Sequence, residues 1–140
     1  MLGDKMRQTK YLLILIFSFA LISSTALGKP KAKVTIVEPK SNEILSNPVK
    51  ICMKIEGMIL EHEDNGVREG YGHHHIMFSS LPTDLGIPIA KNDAIHMSDG
   101  SKCKTVNLVS GQHVIRALFS YADHVPYNPA ITDKVLIHVK

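Results

Sequence analysis

Three consecutive histidines, His73, His74 and His75, precede an apolar segment in the stretch GYGHHHIMF, residues 70–78. Imidazole is the commonest metal ligand in proteins, and it titrates near neutral pH. The run therefore predicts a metal site, an acid/base centre or a pH-sensitive patch. If the segment is a strand, alternate residues share a face. His73 and His75 then point one way and His74 points the other.

Two imidazoles on one side of a strand cannot complete the coordination of an ion, so further ligands must come from elsewhere in the chain. His96 and His124 are the main candidates, and His113 is a lesser one. His74 needs a partner on the apolar face, unless a bulge after Gly72 shifts the alternation and makes it a ligand. The predicted metal ligands are therefore His73, His74, His75, His96 and His124.

The neighbours of these histidines bear on how the rings are held and on the metal. Asp123 precedes His124 in a proline-stiffened loop and could orient its ring. Met97 follows His96, and Met77 follows the histidine run; both also have an ordinary explanation as packing residues. A His/Met environment suits copper, because thioether sulfur favours Cu(I) and imidazole binds both oxidation states. Copper is the predicted ion, and zinc, which has less use for methionine, is the alternative.

The segments that must position these residues alternate apolar and polar side chains and are separated by turns rich in proline and glycine. No segment of the predicted mature chain combines a helical period with caps. DHVPYNPAI, residues 123–131, is predicted as a loop. Six or seven short strands in a chain of this length predict an all-β fold, an immunoglobulin-like antiparallel β-sandwich. The predicted strands are KVTIVEP (33–39), VKICMKIEGM (49–58), HHHIMFSS (73–80), KCKTVNLV (102–109), HVIRALFSYA (113–122) and DKVLIHV (133–139).

The N-terminal segment has the organisation of a secretory signal peptide. A basic start is followed by 12 mostly apolar residues, 11–22, and by the small and polar stretch SSTALG. This apolar run is shorter than the roughly 20 residues of a spanning helix. We therefore predict a signal peptide over residues 1–28, a single domain over 29–140, and an exported protein, periplasmic or secreted, without a stable membrane anchor after cleavage.

Charge and cysteine content narrow the classes further. The predicted mature chain has 13 basic and 12 acidic residues, which is too nearly neutral to predict nucleic-acid binding. In an oxidising compartment Cys52 and Cys103 predict one disulfide; two free thiols or two metal ligands are the alternatives. The alternation places both cysteines on polar faces. A bridge would therefore join neighbouring strands or strand ends rather than cross the core.

The order of these motifs resembles a family of small exported bacterial domains of unknown function. The resemblance rests on Gly72-His73-His74-His75, on His96 followed by a Gly-containing turn, and on LVSGQHVIRALFSYADHVPYNP (108–129). It covers roughly residues 34–139 and implies an exported β-sandwich that binds metal, plausibly copper. The chain departs from the pattern where the family tends to have proline, a second loop histidine and a polar turn residue, at Ser110, Tyr127 and Cys103.

Three functions are compatible with these residues. The first is an exported metal-binding protein for storage, delivery or tolerance, whose protein partner the sequence does not identify. The second is a structural or interaction module whose histidines are hydrogen-bonded and bind no metal. The third is a metal-dependent enzyme, which an open metal site would permit. No serine triad, phosphate-binding glycine loop or paired-carboxylate signature supports catalysis, so we favour a non-catalytic role.

Overall fold

A computed structural model describes residues 31–140 as nine strands and one short 3-10 turn at Glu63–Asn65. The predicted signal peptide lies outside the described residues. Within residues 31–140 there is no α-helix, and no helix there could cross a membrane. The strands are β1 (Lys33–Glu38), β2 (Glu43–Leu45), β3 (Val49–Glu56), β4 (Ile59–Leu60), β5 (Tyr71–Met77), β6 (Ile95–His96), β7 (Cys103–Val106), β8 (Gly111–Ser120) and β9 (Pro126–Val139).

The strands form two sheets, which confirms the predicted all-β sandwich. The smaller sheet has the order β1-β3-β7, and the larger has the order β2-β9-β8-β5-β4, with β6 paired to β5. Most pairings are antiparallel, as predicted. Two short edge pairings are parallel: β2 with β9 over three residues and β4 with β5 over two.

The core lies between the sheets and is built by the alternation that the sequence displays. In β3, Val49, Ile51 and Met53 are buried, whereas Lys50 and Lys54 face solvent. Inward residues of the larger sheet complete this core. They include Ile76, Ile115, Ala117, Phe119 and Ile137.

The disulfide between Cys52 and Cys103 is formed, as the sequence predicted. The two residues lie directly opposite each other on β3 and β7, with their Cα atoms 4.1 Å apart. The bridge therefore joins neighbouring strands within the smaller sheet and does not cross the core.

Strand β9 begins earlier than the sequence suggested. The stretch from Pro126 to Ile131, predicted as loop, is part of this strand. Proline lacks the N–H that a central strand would need, and it is tolerated where one side of the strand is unpaired. β2 covers only Ile137–Val139 of β9, so the proline-containing half keeps one side free among the described strands.

Two features of the larger sheet position the histidine run. A Cβ on Gly72 would lie 1.9 Å from the carbonyl oxygen of Ser120, so only glycine permits this approach of β5 to β8. On the outer face of the sheet, Met77 and Leu118 form a second hydrophobic cluster with Ile89, which belongs to the segment that connects β5 to β6. The connection therefore covers the outer face next to the histidines.

Candidate metal centre

The three consecutive histidines of β5 lie on two different faces of the sheet, as the alternation predicted. His74 is opposite Phe119 in the register with β8, and both face the core between the sheets. His73 and His75 are opposite Ser120 and Leu118 and lie on the outer face. Only His73 and His75 can therefore share a site.

Two further imidazoles reach this outer site from distant parts of the chain. His96 on β6 pairs directly with His75, so both side chains project to the same side. His124 lies in the turn between β8 and β9 with φ +67°, a left-handed conformation in which histidine is several-fold enriched. The ring centroids of neighbouring imidazoles are 4.5 to 5.5 Å apart across the pairs His73–His75, His75–His96, His96–His124, His73–His124 and His75–His124.

The nitrogen atoms of this histidine cluster (His73, His75, His96 and His124) are spaced for a single ion. His73, His75 and His124 each offer a nitrogen within 4.8 Å of the other two. Nε2 of His73 is 3.0 Å from Nδ1 of His124, and Nδ1 of His96 is 3.2 Å from that same atom. Two nitrogens bound tetrahedrally at about 2.1 Å from one ion lie about 3.4 Å apart. The nitrogens of His73, His75 and His124 are therefore close enough to share one cation, and Nδ1 of His96 lies beside His124 as a fourth candidate.

The opposite nitrogen of three of these rings faces an oxygen outside the cluster. Nε2 of His96 is 3.3 Å from the carbonyl oxygen of Ala90, and Nε2 of His124 is 3.3 Å from Oε2 of Glu63. Nδ1 of His75 is 3.3 Å from Oγ of Ser120, whose own hydrogen goes to the carbonyl of Tyr121 at 3.0 Å. An acceptor oxygen at each of these positions favours the tautomer that carries the hydrogen on the facing ring nitrogen.

This arrangement directs nitrogen lone pairs into the centre of the cluster. In these tautomers, Nδ1 of His96 and Nδ1 of His124 both carry lone pairs, and the two atoms are 3.2 Å apart. Nε2 of His75 is buried and has no hydrogen-bond partner among the described residues. Nε2 of His73 either donates a hydrogen to Nδ1 of His124 or, with the hydrogen on Nδ1, offers a further lone pair; Nδ1 has no hydrogen-bond partner among the described residues. One cation would satisfy all these lone pairs, whereas hydrogen bonds within the cluster satisfy only some of them.

Burial favours the neutral form of three of the four imidazoles, His73, His75 and His124. Desolvation, with repulsion from His124 as the next cause, lowers the pKa of His73 to about 4. Desolvation lowers the pKa of His75 further and also lowers that of His124. The pKa of Glu63 is lowered too, chiefly by a hydrogen bond to Ser98. At neutral pH His73, His75 and His124 are therefore unprotonated, and the carboxylate beside His124 is charged.

Sequence comparison places the chain in a family. A family model described as "Domain of unknown function (DUF4399)" matches residues 41–140. The chain belongs to this family. The match confirms the predicted resemblance to a family of domains of unknown function. No curated protein and no solved structure matches the chain.

In this DUF4399 domain, the other predicted site residues make their contacts outside the group of four imidazoles. His74 faces the core, and Nε2 of His113 is hydrogen-bonded to the carbonyl of Val109 at 2.7 Å. Asp123 accepts the N–H of Val125 at 3.2 Å, which stabilises the turn that carries His124. Met77 and Met97 are buried in hydrophobic clusters. Tyr127, at the predicted departure from the family pattern, hydrogen-bonds the carbonyl of Tyr71.

Sequence reasoning missed two residues that contact the cluster, Glu63 and Ser120. Glu63 lies in the 3-10 turn, and its N–H is bonded to the carbonyl of Ser98 at 2.8 Å. No motif or period in EHEDNG distinguishes this carboxylate from its acidic neighbours. Ser120 is opposite His73 in the register of β8 with β5 and contacts His75 diagonally, so a correct pairing of the two strands could have identified it.

Proposed function

We propose that this protein is an exported metal-binding β-sandwich and that His73, His75, His96 and His124 hold one transition-metal ion. The observation that carries this proposal is the convergence of unsatisfied nitrogen lone pairs. The facing Nδ1 atoms of His96 and His124 are 3.2 Å apart, while the opposite nitrogens of both rings face acceptor oxygens. A purely structural cluster would be expected to place hydrogens between these atoms.

Copper(II) is the preferred ion of this proposal and zinc is its main competitor. The donors are imidazoles, which suit both ions, and divalent copper binds a given nitrogen site more tightly than zinc. Met97 is buried in the core and Met77 packs against Ile89 and Leu118, so a thioether ligand is not part of the proposal. The site therefore favours the divalent state of copper over the monovalent state.

The proposed role is storage, delivery or tolerance rather than catalysis. The side chains of His73 and His75 are fully buried, whereas a quarter of the His124 side chain is exposed. An ion would thus enter and leave beside the loop that carries His124. The Cys52–Cys103 disulfide is compatible with an oxidising compartment outside the cytoplasm. Together with the predicted signal peptide, it supports export.

Metal analysis of the untagged protein tests this proposal. After loading with copper(II) or zinc and dialysis, we expect one equivalent of bound metal. Replacing His73 and His75 together by Ala removes two of the four imidazoles and is expected to abolish stoichiometric binding. The matched control is the double replacement of His113 and His138 by Ala, which removes two histidines outside the cluster and should leave binding intact. Equal metal content in both variants would refute the assignment.

A further inference from the structure

A cavity lies on the inner side of β5, on the face opposite the histidine cluster. Its volume is about 380 Å³, near the lower end of the range for small-molecule sites. Its apolar wall comes from β3, β4 and the turn between them, and includes Met53, Met58 and Leu60. Its polar lining residues are Lys54, His74 and Lys102.

His74 is the unexplained polar group of this cavity. The residue is 0% exposed, and neither ring nitrogen has a hydrogen-bond partner among residues 31–140. One side of the ring packs edge-on against Phe119, with the ring centroids 5.4 Å apart. A buried polar group without a partner costs about 1–3 kcal/mol. A ligand in the cavity that accepts a hydrogen bond from the imidazole would remove this cost.

The charges in the cavity wall select the sign of such a ligand. Lys54 is paired with Glu56 at 2.6 Å, but Lys102 has no carboxylate within salt-bridge distance in the described part of the chain. The carbonyl of Lys102 accepts the N–H of Met53 at 2.8 Å, which holds this lysine beside the cavity. No carboxylate belongs to the wall. The cavity therefore disfavours a cation and favours an anion.

We infer that this cavity binds a small organic anion with an apolar body, of the class of a medium-chain monocarboxylate. The apolar body contacts Met53, Met58 and Leu60; Lys102 attracts the carboxylate, and the imidazole of His74 donates a hydrogen bond to it. The site is separate from the proposed metal centre and does not depend on it, because His74 faces away from His73 and His75.

Titration with octanoate tests this inference, with 1-octanol as a neutral probe of the same chain length. Binding is followed by thermal stability and by the imidazole resonances of His74 in the metal-free and the zinc-loaded protein. We expect octanoate to stabilise the protein and shift the His74 resonances in a saturable way, with octanol binding several-fold more weakly. Saturation should be independent of zinc.

Two variants locate the site. Lys102→Gln should weaken octanoate binding about 2- to 5-fold, the effect of one exposed charge pair, and leave octanol unaffected. Lys104→Gln is the control, because this neighbouring lysine is exposed and does not line the cavity. His74→Phe should weaken octanoate about 10-fold by removing one hydrogen bond. Equal affinity for octanol and octanoate, identical behaviour of both lysine variants, or no saturable response at millimolar octanoate would overturn the inference.

Discussion

The outer and inner faces of β5 present the same side chain in contrasting environments. On the outer face His73 and His75 join two more imidazoles, and three of these four rings are oriented by oxygen acceptors. On the inner face His74 is equally buried, yet both of its nitrogens lack partners among the described residues. Equal burial on the two faces is therefore accompanied by different contacts of the ring nitrogens.

The two faces also differ in which parts of the chain they recruit. The outer face draws on β6, the β8–β9 turn and the 3-10 turn, which are segments that are far apart in sequence. The inner face draws on the hydrophobic core and on the wall of a cavity. A single strand thus contributes histidines to two different environments, because the side-chain period of two sends adjacent residues to opposite faces.

The largest expected effect comes from a change that disturbs both faces at once. Gly72→Ala would place a Cβ 1.9 Å from the Ser120 carbonyl oxygen, so β5 and β8 must separate. We expect a loss of about 4 kcal/mol in the free energy of unfolding, together with loss of metal binding, measured by urea denaturation and metal analysis.

The control for this change is Gly86→Ala. There the new Cβ meets only the flexible side chain of Asp84, at 3.1 Å, and we expect a cost below about 1 kcal/mol. If both alanine variants have the same stability, the close approach of β5 to β8 is not the reason that position 72 requires glycine.

A pH series distinguishes the contribution of the inner face. Burial lowers the pKa of His74 to about 4 from its ordinary value of 6.5. Between these pH values the unfolded chain binds a proton at this histidine that the folded chain does not. The free energy of unfolding is therefore highest above pH 6.5 and falls toward pH 4. In the metal-free protein, protonation of His74 is expected to lower the free energy of unfolding by on the order of 3 kcal/mol over this pH range.

Denaturation of His74→Phe across the same range checks this value. Between pH 7 and pH 4 the free energy of unfolding should fall less in the phenylalanine variant than in the parent, because the variant lacks the protonation of His74. The part of the fall that is due to His73 and His75 should remain. His138→Phe replaces an exposed histidine and should retain the parent's pH dependence. If the free energy of unfolding of His74→Phe depends on pH as strongly as that of the parent, His74 is not the source of this pH dependence.

Some of this difference between the faces can be predicted from sequence. Alternation in β5 separates His74 from its neighbours, and the polar phase of Cys52 and Cys103 predicts a bridge between adjacent strands, which the structure confirms. These features depend only on the local period of two. The assignment of His73, His75, His96 and His124 as ligands stays a prediction, although the structure brings the four rings together.

Other features of the site depend on tertiary contacts that no local pattern encodes. Met97 adjoins His96 in sequence, yet pairing of β6 with β5 directs His96 outward while Met97 is buried in the core. A copper environment inferred from this His-Met pair therefore does not extend to the methionine. Glu63 reaches His124 because its turn is bonded to Ser98, and this contact follows from the packing of two loops.

The smallest expected effect concerns the outer face alone and tests the role of the oriented tautomer. Glu63→Gln keeps the shape of the side chain but removes the charge that faces Nε2 of His124 at 3.3 Å. Loss of such a carboxylate partner weakens metal binding about 10-fold, which corresponds to about 1.4 kcal/mol. Calorimetric titration with copper(II) or zinc measures this change. Asp64→Asn, in the same turn but facing His62, is the matched control. Because Glu63 contacts only the outer face, the pH dependence due to His74 should stay unchanged. A variant with parental metal affinity would show that the carboxylate does not orient the ring.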